Sequence, residues 1–248
     1  MSQARPRVTA LIDRSAYGVS VGEHAAWLAE RIDAALQLRH VRETHETVED
    51  AKALLSQAFE RLADQGAASP DLSLVEGGVL AGAISAEAAV LVMGKRGEGS
   101  AEGRTALGRH VELVLRALDI PVCLASQLFL PIHRVLAVTD ADPQRHAALD
   151  LLAAGHGLDN LAIDLIVVAG AHEDPEAKLS LARGMLDGRA TSFAVQTEDI
   201  GSAIWRYLDE RPADLIIISR AVLLGGGVNA LAASAESLWA ARASVLVC

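Results

Sequence analysis

Two patterns of apolar residues alternate along the chain. Short continuous apolar runs, which are typical of buried strands, are followed by longer stretches whose apolar residues recur at the spacing of a helix face. The first half has five predicted strands (8–12, 38–41, 72–75, 90–93 and 121–125) and four predicted helices (21–36, 48–62, 79–88 and 111–118). Strands that alternate with helices in this way indicate a parallel, doubly wound α/β sheet.

The pattern restarts after residues 126–132. The second half has predicted strands at 134–139, 162–169, 191–195, 214–218 and 245–247, and predicted helices at 143–154, 175–187 and 200–210. Equivalent positions keep a nearly constant separation, since Asp13 and Asp140 are 127 residues apart and Val122 and Val245 are 123 apart. A repeat this long indicates duplicated domains rather than a solenoid. We therefore predict two tandem five-stranded domains, residues 1–127 and 128–248.

One segment of the first half combines a strand, a glycine-rich loop and a helix. The strand ends at Met93, the loop spans residues 94–108, and the helical pattern follows. Backbone N–H groups and a helix N-terminus in this order form an anion site, and glycine lets the backbone come close to a phosphate. The alternative is a solvated loop that binds nothing.

Charge separates this loop from the rest of the chain. Residues 94–116 contain five lysines or arginines and three glutamates, a local excess of two positive charges, whereas the whole chain has a formal net charge of −10. A locally basic loop in an acidic protein favours a phosphate ligand over a nucleic-acid surface, which needs a broad basic patch.

The amino-acid composition narrows the classes of fold and of cellular location that fit the chain. Of 248 residues, 51% are hydrophobic and only 3% are aromatic, which suits parallel strands covered by alanine-rich helices. No apolar run reaches the roughly 18 residues of a membrane span, and no signal peptide is evident. Cys123 and Cys248 lie in apolar runs and are expected to be reduced buried thiols, so we expect a cytoplasmic protein with no membrane or nucleic-acid partner.

The sequence gives little support for a metal site or for catalysis. The eight histidines show no zinc-ligand spacing, and neither a Walker A loop nor a GxSxG elbow is present, so we predict no metal site and no catalytic residue. Asp13 and Asp140 are equivalent positions of two domains and should lie too far apart to work as an acid/base pair. Asp13 can hold a ligand or cap a helix, and His110 can touch a phosphate or be solvated in the first helical turn.

The second half has lost the features of the loop. Residues 218–222, Ile-Ser-Arg-Ala-Val, stand where the first half has Met-Gly-Lys-Arg-Gly, and Ala232 stands in the place of Gly108. The glycines at 225–227 are clustered and do not match the spacing of the first half. Because a Cβ blocks close approach of the backbone to a phosphate, we expect the second half to be a structural copy that binds no ligand.

These residues resemble the universal stress protein family in its tandem form. That family has five parallel strands per domain and a loop written G-x2-G-x9-G-(S/T), which cradles the phosphates in members that bind ATP. Gly94 and Gly97 match the first two glycines, and Gly108 matches the third across a spacer of ten residues. Arg109 stands where the family has Ser or Thr, and it could either bind phosphate through its guanidinium or fill an empty pocket.

The resemblance implies two Rossmann-like domains that pair through their last strands, so that one chain reproduces the family's dimer. It implies that ATP, with Mg²⁺ as an accompanying ion, binds to the first domain. Asp13 would then hold the ribose, Ile12 and Val41 would flank the adenine, and Met93 would end the strand before the loop. The implied phosphate-binding residues are Gly94, Arg96, Gly97, Gly108, Arg109 and His110.

The function that follows is regulatory binding of an adenine nucleotide in a stress response, with at most slow hydrolysis. The alternative is a scaffold that binds no nucleotide and acts through protein partners. A third hypothesis, an enzyme related to adenine-nucleotide hydrolases, is disfavoured because the chain lacks their SGGxDS-type loop. The protein partners and any homodimer beyond the internal pseudo-dimer are not defined by the sequence.

Overall fold

The computed structural model describes residues 5–66, 69–97, 109–142, 147–153, 158, 160–170, 172–196, 200–224 and 242–248. Two compact units divide the chain, one within residues 1–129 and the other within residues 130–248. In the described parts of the chain, no helix is both long enough and apolar enough to span a bilayer.

The first unit is a parallel five-stranded sheet flanked by helices. Its elements are β1 (Arg7–Leu11), α1 (Gly18–Arg31), β2 (Ala35–Arg42), α2 (Val48–Asp64), β3 (Asp71–Glu76), α3 (Val79–Ile84), β4 (Val90–Gly94), α4 (Arg109–Ala117) and β5 (Val122–Ala125). The strands lie in the order β3-β2-β1-β4-β5, and the neighbouring pairs are parallel.

The second unit repeats this arrangement. Its elements are β6 (Arg134–Thr139), α5 (Ala147–Ala153), β7 (Ala162–Ala169), α6 (Pro175–Met185), β8 (Ala190–Gln196), α7 (Ile200–Glu210), β9 (Leu215–Ile218), α8 (Arg220–Leu224) and β10 (Ser244–Val247). The strand order is β10-β9-β6-β7-β8, again with parallel pairs. The predicted α/β class with two tandem five-stranded parallel sheets is confirmed.

The strand interiors explain why the apolar runs are continuous. Val8, Ala10, Leu91, Val92 and Leu124 have no exposed surface. A strand covered on both faces by helices has no polar side, so the alternation typical of a half-solvated strand is missing. Burial of these small aliphatic side chains is the main favourable term for the sheet.

The first predicted helix was wrong at both ends. Helix α1 spans Gly18–Arg31, and Leu36, which fits the apolar face of the predicted helix, lies instead in β2. The chain leaves the helix through Asp33, whose φ of 50° lies in the left-handed region. Such a residue ends a right-handed helix, but the apolar spacing continues through it and conceals the boundary.

Other helices also differ from the prediction. Helix α3 ends at Ile84, four residues before the predicted end at 88. Helix α8 begins at Arg220 immediately after β9 and was not predicted. It occupies the position that a bend takes after β4 in the first unit, so the two units differ directly beyond equivalent strands.

Two glycines on α1 have different reasons to be glycine. A Cβ at Gly18 would lie 2.2 Å from the Asp13 carbonyl oxygen, which is far inside van der Waals contact. A Cβ at Gly22 would lie 3.6 Å from a Leu62 methyl group and 3.7 Å from an Ile12 methyl group, which are ordinary contacts. The first glycine is therefore required for α1 to start beside the end of β1, and the second is not.

We predict opposite effects of alanine at these two sites. Gly18→Ala should destabilise the protein by roughly 1–3 kcal/mol because the new methyl group meets rigid backbone. Gly22→Ala should be neutral or stabilising by up to about 1 kcal/mol because alanine favours a helix interior. Urea denaturation of both variants measures this difference, and equal shifts in the two midpoints would contradict it.

Candidate functional site

A cleft of about 630 Å³ opens at the carboxyl edge of the first sheet. It lies beyond the ends of β1, β2 and β4, beside the first turn of α4. In the order β3-β2-β1-β4-β5, the chain moves outward from β1 to one side through β2 and to the other through β4. This reversal is the topological switch point at which open α/β sheets have their ligand crevice.

Eight of the ten residues predicted from the sequence line this one cleft. They are Ile12, Asp13, Val41, Met93, Gly94, Arg96, Gly97 and His110. Gly108 lies outside the described residues, and Arg109 begins α4 but its side chain is not described. Glu98, which would oppose phosphate, also lies outside the described residues.

Asp13 uses its two carboxylate oxygens differently. Oδ1 accepts hydrogen bonds from the Ser15 N–H at 3.1 Å and from the Ser15 hydroxyl at 2.6 Å, which closes the turn between β1 and α1. It does not cap α1, whose N-cap residue is Tyr17. Oδ2 faces the loop, since a Cβ at Gly97 would lie 3.5 Å from it. Among the described residues, no hydrogen bond reaches Oδ2, which is therefore the oxygen presented to the cleft.

The two loop glycines are not equivalent. A Cβ at Gly94 would lie 2.8 Å from the Tyr17 Cβ and 2.9 Å from the Arg96 carbonyl oxygen, so packing alone requires glycine there. A Cβ at Gly97 would meet only the Asp13 carboxylate within 4 Å. Gly97 thus leaves space in the cleft, whereas Gly94 lets β4 pass close to the start of α1.

A buried charged network forms the opposite wall of the cleft. Glu46 Oε2 lies 2.7 Å from His40 Nε2, and Glu46 Oε1 accepts a hydrogen bond from Arg14 Nη2 at 2.7 Å. The side chains of His40 and Glu46 are only 7% and 11% exposed. Burial alone would raise the pKa of Glu46, but the hydrogen bonds and charges of His40 and Arg14 outweigh it and lower the pKa below its ordinary value.

The loop that carries Glu46 is held at several points. Arg42 donates to the Glu46 carbonyl at 2.7 Å, and Arg14 donates to the Asp50 carbonyl at 3.0 Å. The Thr47 hydroxyl caps α2 by accepting the Asp50 N–H at 3.1 Å. The wall between β2 and α2 is therefore formed by side chains tied to backbone on both sides.

Charge is distributed unevenly around the cleft. The β2–α2 side contributes the carboxylates of Glu43, Glu46 and Asp50 together with His45, and Arg14 binds Glu46 there. The β4–α4 side contributes Arg96 and His110. A ligand with an anionic end and an end rich in hydroxyl or amino groups matches this distribution, because carboxylates accept hydrogen bonds and a guanidinium donates them.

At the equivalent edge of the second unit, described side chains contact Asp140 and one another. Lys178 Nζ donates to the Asp140 carbonyl at 2.7 Å and lies 2.9 Å from Glu173 Oε2. The Ser219 hydroxyl lies 3.3 Å from Asp140 Oδ1 and takes up the carboxylate that corresponds to Asp13. The hydrogen bond from Lys178, with that from the Gly170 N–H, lowers the pKa of Glu173. The glycines at 225–227 and Ala232 lie outside the described residues.

Comparisons with known proteins agree with this geometry. No protein-family model matches the chain. A universal stress protein from Synechocystis sp. is 26% identical over 133 residues, which are 52% of this chain and 46% of that protein, so the chain spans less than half the length of this curated relative. A universal stress protein structure from Archaeoglobus fulgidus shares 16% identity with a TM-score of 0.67, over 98% of this chain and 95% of that one. The chain is thus similar to universal stress proteins in sequence over about half of its length and in fold over nearly all of it.

A second solved structure extends the agreement in fold. A protein of unknown function from Pseudomonas aeruginosa superposes on this chain with a TM-score of 0.61 and 16% identity. The superposition covers 98% of this chain and 92% of that one. At such identities, the likeness of structures concerns the fold alone.

The sequence did not predict the His40–Glu46–Arg14 network. The histidines were weighed only as possible zinc ligands or phosphate contacts, whereas His40 contacts both the end of β1 and the loop after β2. No periodicity reveals this pairing, since the chain turns back between residues 40 and 46. The acidic residue Glu46, shortly after β2, was the one feature of the sequence that could have indicated this contact.

Lys95 belongs to the glycine-rich loop in sequence, but its side chain does not line the cleft. It is 4% exposed, and burial is the main reason why its pKa is lowered to about 8. The neighbouring thiol of Cys123 is fully buried, which raises its pKa to about 12 and keeps it protonated and unreactive at neutral pH. The local positive charge available to a ligand is therefore smaller than the residue count suggests.

Burial of Lys95 makes the stability of this protein depend on pH. Below pH 8 the folded protein bears the full cost of burying an ammonium group, whereas between pH 8 and the ordinary value of 10.5 only the unfolded chain keeps the proton. Stability should therefore rise with pH through this interval.

We predict that Lys95→Met stabilises the protein at pH 7 by up to about 3 kcal/mol and removes this rise. Melting temperatures from pH 7 to pH 10 measure the effect, with Lys52→Met as the control because Lys52 is exposed on α2. An unchanged slope in the Lys95 variant would refute the assignment.

Proposed function

We propose that this protein is a stress-response regulatory protein whose first unit binds an adenine nucleotide, with ATP as the ligand. The supporting observation is the cleft at the switch point, which Asp13 and Gly97 both line, with Asp13 Oδ2 beside Gly97. Apolar and polar groups converge there in the arrangement typical of a small-molecule site.

The proposed ligand is placed by the chemistry of each wall. Ribose hydroxyls donate to the Asp13 carboxylate, and the adenine packs against Ile12 and Val41, which are 3% and 9% exposed. The phosphates lie over the loop from Gly94 to Gly97 and at the start of α4, where N–H groups and the helix dipole favour negative charge.

The remaining proposed phosphate contacts come from cationic or polar side chains. Arg96 and His110 line the cleft on that side, and Gly108 and Arg109 complete the proposed set. Among the described residues, no cluster of three or more His, Cys, Asp or Glu could hold a metal ion. We therefore propose that Mg²⁺ enters only with the phosphates of ATP.

We propose that the second unit binds no nucleotide. Lys178 and Ser219 already bind the carbonyl and the carboxylate of Asp140, so a ribose or base would have to displace two internal contacts. The chain should then take up one nucleotide, not two.

ATP should raise the melting temperature of the protein. At a concentration 100 times the dissociation constant, a ligand adds about 2.7 kcal/mol to the free energy of unfolding, which corresponds to several degrees. Gly97→Val should abolish the shift and leave the fold intact, because its side chain occupies the space in front of Asp13. Saturating ATP, ADP and AMP that all leave the melting temperature unchanged would disprove nucleotide binding and favour a scaffold.

Isothermal titration calorimetry should give one ATP per chain. Asp13→Asn should weaken ATP binding about tenfold, the equivalent of about 1.4 kcal/mol for one charge-assisted hydrogen bond. Asp140→Asn is the matched control at the equivalent position and should leave the affinity unchanged. Two sites per chain, or equal losses in the two variants, would show that the second unit also binds.

A further inference from the structure

The pairing of β1 with β2 stops early at the cleft. The last pair in register is Leu11 with Arg39, and the Ile12 N–H still donates to the Arg39 carbonyl at 2.8 Å. In a regular parallel ladder, the next hydrogen bond would run from the Val41 N–H to the Ile12 carbonyl. His40 Nδ1 instead lies 2.7 Å from that carbonyl. Because a carbonyl can only accept, Nδ1 carries a hydrogen and donates it.

The imidazole is held from its other side as well. Nε2 lies 2.7 Å from Glu46 Oε2, and Arg14 binds the second oxygen of the same carboxylate. The ring is 7% exposed, so it cannot turn away from Ile12 without also leaving Glu46. The ring is thus locked between the end of β1 and the loop before α2.

The consequence lies at the Val41 backbone. The Arg39 carbonyl faces β1, and Val41, two residues further along β2, faces the same side. Among the described residues, neither the N–H nor the C=O of Val41 has a backbone hydrogen-bond partner on that side. Val41 lines the cleft, so a donor and an acceptor from one residue border the space beside Ile12.

A donor and an acceptor on one peptide edge have a specific chemical complement. An amino-substituted heterocycle presents an N–H donor beside a ring-nitrogen acceptor, as adenine does, and can bind both groups at once. Leaving such backbone groups without a partner in a buried position is unfavourable, which adds to the affinity for a ligand that pairs with both.

We propose that His40 is a positioning residue: by binding the Ile12 carbonyl, it keeps β1 from closing onto Val41 and leaves the Val41 N–H and C=O free to bind the base of the ligand. This inference rests on the proposed nucleotide binding. It assigns to the His40 side chain the positioning of the backbone groups that bind the base, and the ring itself need not touch the ligand.

The test separates the base from the phosphates. Binding of ATP, of purine riboside triphosphate, which lacks the 6-amino group, and of inorganic tripolyphosphate is measured by calorimetry on the full chain. His40→Phe keeps a ring but removes both nitrogens, and His40→Asn keeps a donor near the position of Nδ1. His133→Phe, an exposed histidine of the second unit, is the control.

We expect His40→Phe to weaken ATP binding about tenfold and to remove the preference for ATP over purine riboside triphosphate, while tripolyphosphate binding stays unchanged. His40→Asn should retain most of the preference. If His40→Phe does not fold, Glu46→Gln, which loosens the ring without removing it, should show a partial loss of the same preference.

Three results would overturn the inference. ATP binding that is unchanged in His40→Phe would show that the ring does not control the base site. Equal loss of ATP and tripolyphosphate binding would show a purely structural role. Absence of nucleotide binding in the unsubstituted protein would refute the proposed function itself, whereas intact ATP binding without the His40 effect would refute this inference alone.

Discussion

The site depends on the way in which β1 ends. In the first sheet β1 lies between β2 and β4, and its neighbours lead the chain in opposite directions. The backbone must therefore turn away from both at the same edge, and Asp13, Gly18 and Gly94 share the space of that turn. The 2.2 Å approach that a Cβ at Gly18 would make to the Asp13 carbonyl shows how close the backbones are. The cleft lies at this corner, beyond the ends of β1, β2 and β4.

The second unit has the same topology but places different groups at the equivalent edge. Its strand order is equivalent, and Asp140 ends its first strand as Asp13 ends β1. Yet Ser219 replaces the glycine that follows the neighbouring strand, and its hydroxyl reaches the Asp140 carboxylate. Lys178 then binds the adjacent carbonyl. Two polar side chains thus form hydrogen bonds with Asp140 that have no counterpart at Asp13 in the described part of the chain.

The sequence predicted the fold well because the strands are buried on both faces. Continuous apolar runs separated by helical spacing leave few alternatives to a parallel sheet, and the repeat supports the same conclusion twice. Boundaries were less predictable, since the apolar spacing continues from α1 through Ile32 to Leu36, and only the left-handed backbone at Asp33 separates helix from strand. Local backbone conformation of this kind has no signature in an apolar pattern.

The candidate site was predicted in part for a similar reason. Asp13 and Val41 were predicted from the resemblance to the universal stress protein family, and both line the cleft at the carboxyl ends of neighbouring parallel strands. His40 and Glu46 could not be predicted, because their contact depends on how the loop turns back between them. The sequence also did not show why residue 94 is glycine, because the reason is its close approach to Tyr17, a residue far away in sequence.

For discrimination between ligands, the wall opposite the glycine-rich loop is more important than the loop motif suggests. A glycine loop tolerates many anions, because backbone N–H groups and a helix dipole select charge and not shape. Discrimination between ligands must come from groups with fixed direction, and in the first unit these lie on β2. Glu46 holds His40 from one side while Arg14 holds Glu46 from the other. Burying the His40 ring and the Glu46 carboxylate is costly unless both are paired, and this pairing fixes the ring that we propose determines where β1 stops.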